Sequence, residues 1–329
     1  MAPLTLAVET SCDDTCAAVL HGGEIRSNVI SSQGIHDRYG GVVPEIASRH
    51  HLELVNAAID DALARADATF EQVELVAVTQ GPGLIGALLV GLQTAKGLAA
   101  SRRLPLAPVD HLHGHVAAAL VEPAPVEPPF LCLIASGGHT LLADVREPGA
   151  FEVLGRTLDD AAGEAFDKGA RLLGLGYPGG PALERLARAG DPEAFEFPTA
   201  RGVEGLDFSF AGVKTALLYA LRDLGEAAES RHPDLAASYQ RAIVEALAQR
   251  AERALAQTGR ERLALGGGVA ANGPLRERMA QLGVDVAVPP IELCTDNAAM
   301  IASAARWVEP LEYPAYLDLD VYATGERPL

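Results

Sequence analysis

The sequence predicts an α/β protein of two lobes, each organised round a mixed β-sheet flanked by helices. Three observations carry that reading. At 329 residues the chain exceeds what one hydrophobic core usually supports, so a division in two is the default. Residues 4–20 (LTLAVETSCDDTCAAVL) and 131–145 (LCLIASGGHTLLADV) repeat one theme: an apolar strand, a short polar turn and a second apolar strand. Two such hairpins, opening the two parts of the chain, suggest a duplicated lobe. In the first part three strands precede a helix–strand–helix–strand series, an order that departs from a βαβ repeat.

Within the first hairpin, residues 5–8 read directly as a strand. Residues 25–30 give a third strand, and 44–66 have helical periodicity with Pro44 at the start, where a missing N–H costs nothing. The apolar run 73–79 is a buried strand, followed by Gly81, Pro82 and Gly83 and a helix over about 84–101. Residues 105–109 form another strand and 115–120 a helix. A mixed sheet with an antiparallel hairpin edge, the ribonuclease-H-like lobe, accommodates this order better than a dinucleotide-binding domain does. The stretch 122–129 (EPAPVEPP) is a stiff connector. After the second hairpin come a strand at 151–158, helices at 161–173, 210–224 and 235–257, and a short strand at 262–265 that feeds three glycines. A helix at 272–282, a strand at 284–288 and a helix at 296–307 follow. The tail from Glu309 is rich in proline, tyrosine and acid and fits no element.

Composition narrows the function. Hydrophobic residues make up 49% of the chain, which fits a well-buried globular protein. No apolar stretch approaches the roughly 20 residues of a membrane helix, and Met1, Ala2 and Pro3 lack the basic start of a secretory signal. A cytoplasmic protein with no membrane partner is expected. Four cysteines, Cys12, Cys16, Cys132 and Cys294, form no C-x-x-C pair and are too sparse for a disulfide framework. A formal charge of −18 argues against a broad phosphate-binding surface, so a nucleic-acid substrate would need a local patch or a partner.

Several segments could carry chemistry. In HLHGH (111–115), His111 and His115 stand four residues apart, so on a helix both rings face one way and can grip one metal ion. Isolated pairs of this kind also arise by chance as solvated or capping histidines. Leu112 occupies the place of the glutamate in H-E-x-x-H, so the base of that metalloprotease helix is missing. CTDNAA (294–299) puts Asp296 at a helix start, where Thr295 or Asp296 could cap and Asp296 could equally be an oxygen ligand completing the histidine site. GGGVAAN (266–272) runs from strand to helix; it lets a ligand approach the backbone and offers Asn272 as hydrogen-bonding group or N-cap. Asp160, Glu164 and Asp167 share a helical face that the single Lys168 does not neutralise. That is an ordinary solvated face unless the glycine turn YPGG (177–180) makes it a pocket for ribose hydroxyls. The two hairpin turns expose backbone N–H groups that could meet an anion or serve turn geometry alone.

Taken in order, ETSCDD (9–14), GGVVPE (40–45), GPG (81–83), HLHGH (111–115), SGGH (136–139), AAGEAFDK (161–168), YPGG (177–180), LDFSF (206–210), GGGVAAN (266–272) and CTDNAA (294–299) closely resemble the TsaD family. These are bacterial tRNA adenosine threonylcarbamoyltransferases, once described as O-sialoglycoprotein endopeptidases. The resemblance implies the two-lobed actin, hexokinase and Hsp70 (ASKHA) fold. Its lobes would span 1–110, with return of the tail 308–329, and 111–307, holding the metal and nucleotide cleft. It implies transfer of the threonylcarbamoyl group from threonylcarbamoyl-AMP to N6 of adenosine 37 in tRNAs that read codons beginning with adenine, with release of AMP.

Matched residue by residue, His111, His115 and Asp296 fall on the family's metal ligands, for one divalent ion per subunit, ferrous iron or zinc. Ile134, Ala135, Ser136, Gly137 and Gly138 fall on its loop near the phosphate and acyl group, and Asp167, Gly180 and Asn272 on its nucleoside contacts. Glu184 is left out of that set, and Asp110 stands where many relatives have histidine. The metal is expected to orient the threonylcarbamoyl carbonyl as a Lewis acid, with the N–H groups of 136–138 offsetting charge. No residue is an obvious general base; Glu9 and Asp13 are the candidates. The family's usual partners, the TsaB paralogue and the TsaE ATPase, would supply the help that an acidic enzyme acting on tRNA needs. A kinase or chaperone ATPase of the same fold would instead need a carboxylate–magnesium site and no histidine pair. A noncatalytic paralogue would not be expected to keep His111, His115, Asp296 and Asn272 together.

Overall fold

Contacts within the chain divide it into two units, Met1–Glu127 with Glu147–Ala150 and Thr295–Leu329, and Pro128–Arg146 with Phe151–Cys294. The structure, a computed structural model, describes residues 2–121, 123–199 and 203–323; Glu122 of the expected connector and residues 324–329 of the expected tail lie outside these.

In the first unit, β1 (Leu4–Glu9), β2 (Asp14–His21) and β3 (Glu24–Ser32) form an antiparallel meander. After α1 (Pro44–Arg65) come β4 (Leu75–Gly81), α2 (Ile85–Arg102) and β5 (Leu106–Asp110), giving the sheet order β3-β2-β1-β4-β5 with β4 parallel to β1 and to β5. Sequence follows position: β1 and β4, central and covered on both faces, are near-continuous apolar runs, whereas edge strand β3 alternates in burial. The short helix α3 (His111–Ala117) starts directly from β5.

The second unit repeats this plan. It contains β6 (Phe130–Ala135), β7 (Thr140–Glu147), β8 (Ala150–Arg156), α4 (Ala162–Leu172), α5 (Gly179–Ala187), α6 (Ala211–Leu224), α7 (His232–Thr258), β9 (Arg262–Gly266), α8 (Gly273–Ala280), β10 (Asp285–Ala287) and α9 (Ile291–Cys294). The order is β10-β9-β6-β7-β8, with β6–β7 antiparallel and β9 parallel to β6 and β10. Read from the hairpin edge inward, both sheets are built alike, as the repeated strand–turn–strand theme predicts. The long α7, with sixteen of its 27 residues buried, forms the backbone of this unit's core.

The last helix, α10 (Ala298–Ala304), is buried at all seven positions, so it shows no polar face. It packs on α3, β1 and β2. The tail then pairs Leu311 with Leu106 on edge strand β5, with N···O distances of 2.8 and 3.0 Å, and so covers that edge. These contacts correct the expected lobes: the division falls at Glu127 rather than after Asp110, and 295–307 joins the first unit. Asp110, at the end of β5, caps α3 and holds the histidine segment to the first sheet, while α10 finds its apolar partners there.

Candidate functional site

In the first unit, the capped first turn of α3 aims both histidines one way. His111 and His115 are 3% and 1% exposed, and their rings meet edge to face with centroids 4.7 Å apart. Asn297, rather than Thr295 or Asp296, caps α10, its side-chain oxygen accepting from the Met300 N–H at 2.9 Å. That leaves the neighbouring Asp296 carboxylate to face the rings. Its Oδ1 is 3.6 Å from His111 Nε2 and 3.3 Å from His115 Nε2. Three ligands at about 2.1 Å from one tetrahedral ion are about 3.4 Å apart, so this triangle has the dimensions of a metal site. Neither ring nitrogen of His115 makes a hydrogen bond among the described residues, although the ring is buried. A buried imidazole left so is costly unless something else meets its lone pair. The donor set therefore fits a divalent ion with room for further ligands, since Asp296 is 21% exposed. Among the described residues these three form the one such cluster.

Behind this triangle Glu9 is fully buried. Its Oε2 accepts from His111 Nδ1 at 3.0 Å and from the Thr79 hydroxyl, and its Oε1 from the Ser11 N–H. A carboxylate can only accept, so Nδ1 carries a proton, and Nε2 is the nitrogen that faces Asp296 and is left to meet a cation there. This is the outer carboxylate that metal-bound histidines commonly use. Burial alone would push the His111 pKa down, but the carboxylates of Asp296 and Glu9 outweigh it and raise it to about 9. The same negative field favours any cation at Nε2. Asp14 is raised to about 7 by burial, with Asp296, Asp13 and Glu9 adding to it. Burial first, then the neighbouring acids, also pushes the thiols of Cys12 and Cys16 well up, and all four cysteines are free.

In the second unit, Ile134 and Ala135 are buried inside β6, so only the turn beyond them can meet a ligand. The Ser136 N–H is spent on the His139 carbonyl at 2.8 Å. That removes it from the expected anion site and leaves the exposed Gly137 and Gly138. Of the glycines at 266–268, Gly267 serves the chain's own packing: at φ 80° it lies so close to β6 that a Cβ would fall 2.3 Å from the Ala135 carbonyl oxygen, whereas a Cβ on Gly268 would meet nothing within 4 Å. The acidic span resolves into separate tasks. Asp159 caps α6, accepting from the N–H groups of Phe210 at 2.7 Å and Ala211 at 3.2 Å. Lys168 bridges Asp160 and Glu164 at 2.6 and 2.9 Å. Asp167 accepts from the Gly179 N–H at 2.8 Å and so seats the start of α5, beside Gly180. Along α5, Glu184 takes a hydrogen bond from Asn272 Nδ2 at 3.0 Å, while Gln240 accepts from the same amide at 2.9 Å and Asn272 Oδ1 caps α8 at Leu275. The structure thus links Asp167, Gly180 and Asn272 through α5, and Asn272 acts as both N-cap and network member.

The family model described as TsaD, tRNA N6-adenosine threonylcarbamoyltransferase, matches residues 24–303. The chain belongs to the TsaD family. A relative of that same description from Clostridium perfringens is 50% identical over 310 residues, 92% of this chain and 91% of that protein, and one from Symbiobacterium thermophilum is 53% identical over 312 residues, 93% and 91%. Among solved structures, HypF from T. kodakarensis aligns at a TM-score of 0.65 with 18% identity, over 93% of this chain and 48% of that one. Component A of the (R)-2-hydroxyglutaryl-CoA dehydratase of Acidaminococcus fermentans aligns at 0.55 with 15% identity, over 92% and 96%. At such identities these two give the fold alone, and it is the ASKHA fold expected of a TsaD protein.

Within this TsaD chain, sequence reasoning missed Thr79, Ser11 and Gln240, which act on the named residues from other elements. Glu184, set aside earlier, is the partner of Asn272. No local pattern marks such residues; only tertiary packing brings them in, Thr79 from β4, Ser11 against His111 and Gln240 from α7.

Proposed function

We propose that the chain is a metal-dependent transferase that moves the threonylcarbamoyl group from threonylcarbamoyl-AMP to the N6 amine of adenosine 37 in tRNA, in the cytoplasm, and releases AMP. The activity, tRNA N6-adenosine threonylcarbamoyl transfer, is that of its family. The observation that supports a metal is the triangle of His111, His115 and Asp296, with neither ring nitrogen of the buried His115 hydrogen-bonded among the described residues. A bound divalent ion, ferrous iron or zinc, would supply Lewis-acid polarisation of the transferred carbonyl.

Every other part falls to the chain's own residues. His111, His115 and Asp296 hold the ion, and Glu9 keeps His111 in the tautomer that can. A carboxylate sealed from solvent and committed to three hydrogen bonds is a positioning group, so Glu9 is withdrawn as general base. In the second unit the N–H groups of Gly137 and Gly138 are available to a phosphate oxygen, and the network of Asp167, α5 and Asn272 offers hydrogen-bonding groups to a nucleoside. In the transfer, the amine nitrogen bonds to the carbamoyl carbon, the carbon–oxygen bond to the phosphate breaks, and the amine loses one proton. The charge of −18 supports a need for partners, a TsaB-like paralogue and a TsaE-like ATPase, in handling tRNA.

Replacing His111 by Ala should abolish transfer and metal content while leaving the circular dichroism spectrum unchanged. A single-turnover assay with purified threonylcarbamoyl-AMP and unmodified tRNA, with and without the partners, reads this out; full activity in a metal-free His111→Ala protein would sink the reading.

A further inference from the structure

The tail of the first unit reaches the metal-bearing helix through one hydroxyl. Asp110 caps α3 with Oδ1, which accepts from the N–H groups of Leu112 at 2.9 Å and His113 at 3.2 Å. Its Oδ2 accepts from the hydroxyl of Tyr322, a residue 212 positions further along and 8% exposed. The same hydroxyl lies 2.9 Å from the Gly81 carbonyl. Around it the segment is well fixed: the Tyr322 N–H donates to the Gln80 carbonyl at 3.3 Å, and Gln80 Nε2 donates to the Asp320 carbonyl at 2.7 Å. The buried Lys96 donates to the carbonyls of Leu317 and Leu319. Gly81, in the Gly-Pro-Gly segment that the transfer chemistry leaves unexplained, gives Tyr322 its room. A Cβ there would lie 2.4 Å from the Tyr322 carbonyl oxygen and 2.9 Å from its ring.

We propose that Tyr322 is a positioning residue for the metal centre, holding the second oxygen of Asp110 and thereby the first turn of α3 on which His111 sits. A capping carboxylate engaged through one oxygen can still turn about its last torsion. Engaged through both, it has one orientation, and the two N–H groups it caps are fixed with it. His111 is the residue between cap and capped groups, so its ring inherits that constraint. A donor triangle with edges of 3.3 and 3.6 Å tolerates little drift before one ligand is lost. This inference rests on the metal reading above.

The test uses the full chain as wild type, Tyr322→Phe and Tyr316→Phe. Zinc affinity is measured by competition with a chromophoric chelator, and the metal-free proteins are melted in parallel. Tyr316 belongs to the same tail, is wholly buried, and its hydroxyl makes no hydrogen bond among the described residues, so its loss controls for general packing. We expect Tyr322→Phe to weaken zinc binding about five- to tenfold, near the lower end of outer-shell effects, and Tyr316→Phe to keep wild-type affinity. In an Asp110→Ala background, Tyr322→Phe should have no further effect, because the two act as one unit. Wild-type affinity in Tyr322→Phe, an equal loss in Tyr316→Phe, or additive losses with Asp110→Ala would overturn the proposal alone. A wild type that binds neither zinc nor ferrous iron would overturn the metal reading and this inference with it.

Discussion

At the scale of single residues, charge and hydrogen-bond direction decide what each group does. Glu9 illustrates it: the residue type suggests a base, but burial and the acceptor-only chemistry of a carboxylate make it the group that fixes a histidine tautomer. Glu9→Gln keeps a hydrogen-bonding side chain of the same shape and removes the charge. We expect about ten- to a hundredfold weaker metal binding, with the fold retained. Equilibrium dialysis against zinc, with metal analysis, checks this, and unchanged affinity would return Glu9 to the list of candidate bases. The histidine pair was legible because both ligands lie within five residues on one helix. Thr79 and Ser11 were not, since nothing local distinguishes a hydroxyl that meets Glu9, as that of Thr79 does, or His111 Nδ1, as that of Ser11 does, from one that faces solvent. Asp296 lay between these cases; as a helix-start residue it could have been a cap, and it was Asn297 that took the cap.

At the scale of elements, the strands were read well and two helices were missed, α5 and the four-residue α9. Alternation and continuous apolar runs mark β1, β2, β4, β6 and β7, because sheet position dictates them. Helix α5 begins Gly-Gly-Pro, residues that read as a turn. In the structure Asp167 meets its first N–H, and Leu183 and Ala187 bury its inner face. Tertiary contacts outweigh the poor helix propensity of its start. Between elements, the ion pair of Asp144 on β7 with Arg260, just before β9, ties two neighbours of β6 together at 2.7 and 2.9 Å, with Asp144 3% exposed. The bonds from Arg260 are the main cause that holds the Asp144 carboxyl below its ordinary value, with Arg146 adding to it. A depressed carboxyl stabilises the fold above its unfolded pKa, and that contribution fades as pH falls through the lower folded value. Arg260→Ala should therefore cost about 2–4 kcal/mol near pH 7, by leaving a buried carboxylate with only Arg146. The gap to wild type should narrow below about pH 4, where the carboxyl begins to protonate in the unfolded chain. Urea unfolding at both pH values measures it, and a gap that widens in acid would contradict the assignment.

At the scale of the whole molecule, the plan of two like sheets was legible and the boundary between the units was not. Residues 295–307 return to the first sheet across some 180 positions of chain, and local pattern carries no signal for such a closure. Overall charge, by contrast, is read from sequence without any structure, and it bears directly on how a tRNA-modifying enzyme meets its substrate. With 44 acidic and 26 basic side chains, the net repulsion opposes a polyanion. A basic protein that neutralises Z phosphates loses affinity with a log–log salt slope of about −0.7Z to −0.9Z. This chain has few cations to spare, because many of its arginines and lysines are already paired with its own carboxylates, as Lys168 and Arg260 are. The isolated chain should therefore bind unmodified tRNA weakly, with a shallow slope of magnitude below about 3 between about 50 and 200 mM salt. If partners supply the basic surface, adding them should steepen the slope as well as raise the affinity. Fluorescence anisotropy with labelled tRNA across that salt range separates the cases. A steep slope for the chain alone would mean that a local cationic patch on this protein, rather than a partner, holds the nucleic acid.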